Sequence, residues 1–190
     1  MKVKPWQKPM KGQAAVAVDR ICASLPRIAR GRIILRAPYL DDYPLFESIV
    51  TGERGRWIGG PLTPEAAWLD FIQMVAGWVL RGAGLWTVEL QATGERVGFV
   101  VLNHETGDPE MELGFLFPAE NEGKGYAFEA GEAARNSAFF ALNRDTLVSW
   151  IDPENARAIK LVERLGAQRD AASDIDGSGA YRYPRPEFEV

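Results

Sequence analysis

One cysteine (Cys22) and one histidine (His104) are the whole stock, in 190 residues, of the two residue types most used for metal centres and covalent catalysis. A single Cys excludes an internal disulfide and leaves no pair for a structural metal site. A single His leaves a Ser–His–Asp triad or a His-rich metal centre without most of its parts. In "LNHETGDPE", His104 reads as part of a solvated turn. No metal is therefore expected. Long apolar runs are missing too, since none reaches the roughly 18 residues of a membrane span. "AAVAV" behind the basic start is too short for the core of a secretory signal, and Asp19 interrupts it. A cytoplasmic protein without a membrane partner is the expectation. Internal repeats and low-complexity tracts are also absent.

What is present suits one soluble globular domain: 46% hydrophobic and 25% charged residues over a length that can bury a sizeable core. The net charge of −4 conceals an asymmetry, because residues 1–36 carry +8 and the rest −12. We read residues 1–30 as a basic arm and residues 31–190 as the domain. Such an arm either docks on nucleic acid, a ribosomal surface or an acidic partner, or lies on its own domain.

The chain then alternates between helical and strand patterns. "AAVAVDRICASL" has helical spacing up to Pro26, and "GRIILRAP" alternates as a strand. "LDDYPLFESIV" puts Leu40, Tyr43, Phe46, Ile49 and Val50 on one helical face. In "TPEAAWLDFIQMVAGWVLR", Thr63 and Pro64 mark a helix start, and Trp68, Phe71, Val75 and Trp78 form a core stripe. Three strands follow ("LWTVELQ", "ATGERVGFVVLN", "EMELGFLF"), with Thr93-Gly94 as a hairpin turn. After them come a long alanine-rich helix, the strand "DTLVSWID", the helix "PENARAIKLVERLG" ending at Gly166, and the strand "AYRYPRP". The order predicts an α/β fold whose mixed, mostly antiparallel central sheet is flanked by helices.

The stretch "PAENEGKGYAFEA" joins a strand to that long helix through Gly123-Lys124-Gly125. A P-loop does not fit, because Pro118 stands where its first Gly belongs and Gly125 where its Ser or Thr belongs. A dinucleotide-binding G-x-G-x-x-G does not fit either, with Phe128 at the third glycine. What remains is a helix start with free N–H groups from Gly123 to Ala127, suited to a pyrophosphate or serving as a plain turn.

"MELGFLFPAENEGKGYAFEA" resembles the acetyl-CoA-binding motif of the GNAT N-acetyltransferase superfamily, Q/R-x-x-G-x-G/A, and "IDPENARAIKLVERLGA" is similar to that family's next segment. Together they most resemble the branch of ribosomal-protein N-terminal acetyltransferases. The resemblance implies acetyl-CoA as co-substrate, an amine acceptor, and a monomer or homodimer. It implies that amides of Gly123, Lys124, Gly125, Tyr126 and Ala127 bind the pyrophosphate. Backbone groups of Phe115, Leu116 and Phe117 would pair with the pantetheine, and Asn155 would hydrogen-bond the cofactor arm, or cap its helix, or both. Two positions depart from the family: Glu122 replaces the Gln or Arg, and Ala158 replaces a Ser.

Direct transfer needs no covalent acyl-enzyme. It needs a backbone N–H for the oxyanion, for which Phe115 or Leu116 is the candidate, and a base. "PEMELGF" offers Glu110 and Glu112 on one face of a strand, with Glu112 the nearer to the acetyl site. The segment 40–64 would wall the acceptor site, which makes Arg54, Arg56 and Trp57 candidates, and the acidic body favours a cationic amine: a peptide N-terminus or a small molecule. The alternative is a non-catalytic acyl-CoA-binding or regulatory module, which Glu122 and Ala158 favour.

Overall fold

A computed structural model describes residues 4–186. An eight-stranded sheet runs in the order β1-β2-β3-β4-β5-β6-β8-β7. Its strands are β1 Ile28–Arg30, β2 Ile33–Arg36, β3 Leu85–Leu90, β4 Arg96–Asn103, β5 Glu112–Leu116, β6 Val148–Ile151, β7 Gln168–Arg169 and β8 Gly179–Arg182. Every neighbouring pair is antiparallel except β5 and β6. The helices are α1 Gln13–Ser24, α2 Tyr43–Val50, α3 Pro64–Arg81, α4 Tyr126–Asn136 and α5 Ala156–Arg164.

Strand alternation divides the core into two layers. On one side Val100, Leu102 and Leu113 meet Ala130, Ala133 and Ala134 of α4 and Val162 of α5. On the other, Phe99, Val101 and Leu116 meet Phe46 of α2 and Phe71 of α3. Tyr43, Phe46, Phe71 and Phe99 pack edge to face there, with centroids 5.3–5.7 Å apart. Small residues on α4 let that helix lie close to the sheet, and this proximity sets the position of its N-terminus.

The predicted helix signals operate as read. Thr63 Oγ1 accepts from the Ala66 N–H, Pro64 takes the first helical position, and Gly82 ends α3 in a left-handed conformation. Phe71 and Trp78 are buried, while Trp68 and Val75 pack half-buried against the core. The sheet begins within the stretch expected to be an arm: β1 pairs with β2, and the Trp86 Nε1–H donates to Pro26 O at 2.9 Å. Ahead of β1, α1 buries no residue, whereas Gln7 is buried. The first three residues of the expected arm lie outside the described residues. Strands β1 and β7, at three and two residues, are additions that the pattern alone did not show.

Candidate active site

The parallel ladder between β5 and β6 breaks off almost as soon as it forms. Val148 N–H donates to Met111 O at 3.2 Å, and Glu112 opposite Val148 is the one registered pair. The next ladder bond would run from Trp150 N–H to Leu113 O. Instead Ser149 Oγ–H donates to Leu113 O at 2.5 Å, and Trp150 N–H donates to Glu112 Oε1 at 3.2 Å. Two side chains thus take the places of two main-chain partners, and the strands part beyond this point. The Tyr183 hydroxyl, buried and 3.0 Å from Ser149 Oγ, fixes the serine from behind.

Beyond the break, β5 has one free edge. Because Met111 O and Leu113 O face β6, alternation turns the N–H and C=O of Phe115 and of Phe117 the same way. Leu116, in register with Phe99, turns its backbone groups toward β4. Leu116 is thereby corrected: its N–H and C=O are committed to the β4 ladder, and the open edge belongs to Phe115 and Phe117.

Glu112 sits at the closed end of this gap, half-buried. Burial pushes its carboxyl up to about 7, the Trp150 N–H opposes that, and the charges of Asp108 and Glu105 add to it. Glu110 is differently placed. Arg182 of β8 donates to both of its oxygens at 2.6 and 2.8 Å and holds the carboxyl below its usual range, against a smaller effect of burial. The two glutamates predicted together are therefore distinct in chemistry. A carboxylate that tight in an ion pair is a poor base, and Glu112 is the one poised near neutrality.

The glycine stretch forms a cradle. Gly123 and Gly125 both take left-handed backbone angles, φ +68° and +85°, which favour glycine. Among the described residues, the N–H groups of Gly123, Lys124, Gly125, Tyr126 and Ala127 have no protein acceptor, while Phe128 and Glu129 already bond back to Gly125 O. Five consecutive donors at the start of α4 fit a polyanion. Lys124 Nζ is anchored to Asn121 Oδ1 at 3.2 Å, and Asn121 Nδ2 donates to Val97 O at 2.9 Å, tying the loop to β4. Arg32 braces the other side: it donates to Lys124 O at 2.7 Å, pairs with Glu129 and lies over the Tyr126 ring.

Beside the cradle lies a cavity of about 820 Å³. Its walls are the end of α2, the 3-10 turn Glu53–Ile58, the loop from Pro118 to Glu122, and the start of α5. Arg54, Arg56, Trp57 and Asn155 all line it. Arg56 stacks on Trp57 with its guanidinium 4.0 Å from the ring centroid. Asn155 Oδ1 accepts from the Ala158 N–H at 3.2 Å and so caps α5, leaving its amide NH2 with no protein acceptor among the described residues. Ala158 packs partly buried against the core. Sequence reasoning missed Ser149, Tyr183 and Arg157. Only Arg157 carried a hint, two positions after Asn155 on the exposed side of a helix start. Among the described residues no group of three His, Cys, Asp or Glu side chains is arranged to hold a metal ion.

A strand-edge gap with a titratable carboxylate at its closed end, a glycine cradle at a helix start and a cavity beside that cradle together suit an extended, anion-bearing ligand. The sequence model of the Acetyltransferase (GNAT) domain matches residues 32–168, and the chain belongs to the GNAT acetyltransferase family. A crystal structure of an acetyltransferase from Agrobacterium tumefaciens str. C58 is 35% identical, with a TM-score of 0.81, and the match covers 85% of this chain and 95% of that one. The uncharacterized N-acetyltransferase p20 of Bacillus licheniformis is 30% identical over 114 residues, which span 58% of this chain and 63% of that protein. In fold alone, the chain also resembles a ribosomal-protein-serine acetyltransferase of Vibrio cholerae (21% identity, TM-score 0.67, 84% and 98% covered). Among the described residues, no helix is long and apolar enough to cross a membrane.

Proposed function

We propose that the protein moves an acetyl group from acetyl-CoA to a primary amine by direct attack. The observation that carries this reading is the parted β5–β6 edge, with the backbone of Phe115 on its open side, Phe117 just past the strand's end and Glu112 at its closed end. The residues present fit the co-substrate: the cradle's five N–H groups suit a pyrophosphate, and the strand edge suits the amide-bearing pantetheine arm. When bound, acetyl-CoA supplies an activated thioester carbonyl. The Phe115 N–H is then the donor for the oxygen that gains negative charge. Glu112, titrating near neutrality, removes the proton from the attacking amine, directly or through one water; as the C–N bond forms the C–S bond would break, and the departing thiolate would take up that proton or one from solvent. Asn155 Nδ2 orients the cofactor arm while its Oδ1 keeps α5 capped.

Glu112 has acidic neighbours in Asp108 and Glu105. Burial, helped by Glu105, pushes the Asp70 carboxyl up to about 6, and Glu105 is itself raised by burial and by Asp108. Carboxylates that press on one another in this way favour a cationic amine nearby, a peptide N-terminus or a small molecule with several amino groups. Trp57, Arg54 and Arg56 line the cavity beside the cradle. Single-turnover consumption of acetyl-CoA with a mixed panel of peptides and polyamines tests the reading. The expected result is an acetylated amine from at least one class, with Glu112→Gln slower by about a hundredfold at unchanged acetyl-CoA affinity. Tight binding of CoA with no transfer to any amine would instead establish a non-catalytic acyl-CoA-binding module.

A further inference from the structure

One ion cluster spans the mouth of the cavity. Glu122 stands at the head of the glycine loop, where the family motif has Gln or Arg. Arg157 Nη1 donates to both of its oxygens, at 2.8 and 2.9 Å, and Arg54 closes on Oε1 from the opposite wall. Arg54 belongs to the 3-10 turn after α2 and Arg157 to α5. Among the described residues neither guanidinium has another acceptor, so Glu122 alone joins the two walls. The cluster lies one residue from the first free N–H of the cradle.

A guanidinium fork accepts a carboxylate and a phosphate through the same planar geometry. Two of them converging at the edge of an anion cradle form a phosphate site with a carboxylate already in it. We propose that Arg54 and Arg157 are an anion subsite for a phosphoryl group of the cofactor, and that Glu122 occupies it as an internal anion until that group displaces it. This rests on the acetyl-CoA reading and adds to it two side-chain ligands and a competitor. Displacement is open to Glu122, because its side chain is 33% exposed and that of Arg157 76% exposed. The pyrophosphate as a whole and the 3′-phosphate each carry about two negative charges and more acceptor oxygens than the carboxylate, so the exchange favours the cofactor while lowering its apparent affinity. Arg54 is thereby moved from the acceptor to the cofactor.

Calorimetric titration of CoA, 3′-dephospho-CoA and pantetheine into the full chain and into Arg157→Gln and Glu122→Gln tests this. Arg157→Gln should weaken CoA about tenfold, the scale of one charge-assisted contact, and leave pantetheine unchanged. Glu122→Gln should tighten CoA severalfold at low ionic strength, again with pantetheine unchanged, and the gain should fade in high salt. A loss shared by CoA and dephospho-CoA assigns the subsite to the pyrophosphate, and a loss confined to CoA assigns it to the 3′-phosphate. Equal CoA affinity in Arg157→Gln, or weaker CoA binding in Glu122→Gln, overturns the proposal. Binding of none of the three ligands by the unmodified protein overturns the acetyl-CoA reading instead. Melting curves of both variants confirm that each is folded.

Discussion

Glu112 owes its titration near neutrality to its surroundings, and that makes its role separable from the acceptor's own chemistry. A base must be ionised to work, so activity that depends on Glu112 should be lost as pH falls through about 7. The attacking amine adds a second limb at higher pH. We expect the kcat/KM profile of the unmodified protein to show both limbs and Glu112→Gln to keep only the amine's; a limb near 7 that survives the substitution would exclude Glu112 as the base. Stability gives an independent reading. The folded carboxyl titrates above its ordinary 4.5, so its favourable contribution is complete below about 4.5 and is lost as pH rises through about 7. Glu112→Gln should therefore gain in melting temperature relative to the unmodified protein between pH 5 and pH 8. A difference that does not change with pH would mean that the group is not raised in the folded state.

Among the elements, the join between β5 and β6 is the one on which the proposed transfer rests, and a serine takes the place of its next main-chain bond. Ser149→Ala leaves Leu113 C=O without its donor in a buried place, at a cost of about 1–3 kcal/mol. For a chain of this size that corresponds to roughly 2–4 °C in melting temperature per kcal/mol. If the Trp150 N–H then turns from Glu112 to Leu113 O, the ladder closes by one bond and the slot narrows. The expected signature is a KM for acetyl-CoA that rises more than kcat falls, and an unchanged KM with an unchanged melting temperature would deny Ser149 this role. None of this could be read from the chain itself. Thr63-Pro64, Thr93-Gly94 and Asn155 announce their turns and caps because those effects act within three or four residues. The direction of the Phe115 and Leu116 amides depends on the register with β4, and the partners of Glu122 come from two other elements, Arg157 lying 35 residues away. The glycine loop was legible because left-handed glycines and unpaired N–H groups at a helix start are local chemistry; the ion cluster at its edge was not, because it is purely tertiary.

At the scale of the whole molecule, the charge asymmetry and the packing point to different boundaries. The +8 segment runs to Arg36, yet its contacts divide near Leu25. Ahead of that residue, α1 buries nothing, Lys4 meets Glu65 only at 3.8 Å, and among the described residues Gln7 is the one buried side chain. Exposed pairs of this kind contribute about 0–1 kcal/mol. After it, Leu25 packs on the core, Pro26 O receives the Trp86 indole N–H, β1 completes the sheet edge, and Arg30 pairs with Glu132 of α4 at 2.6 Å. That last contact, with Arg32 on Glu129, ties the sheet edge to the helix whose N-terminus forms the cradle. Two truncations separate these regions. A chain beginning at Leu25 should melt within a few degrees of the full chain and keep its CoA affinity. A chain beginning at Arg32 should lose roughly 10 °C, since it exposes β2 as a new edge and strands a buried indole donor worth about 1–3 kcal/mol; it should also bind CoA more weakly through the loosened end of α4. Thermal melts and CoA titrations of the two proteins check this. A large loss on cutting at Leu25 would mean that α1 is integral to the fold despite burying no side chain, and equal behaviour of the two truncations would mean that β1 does not brace the cradle.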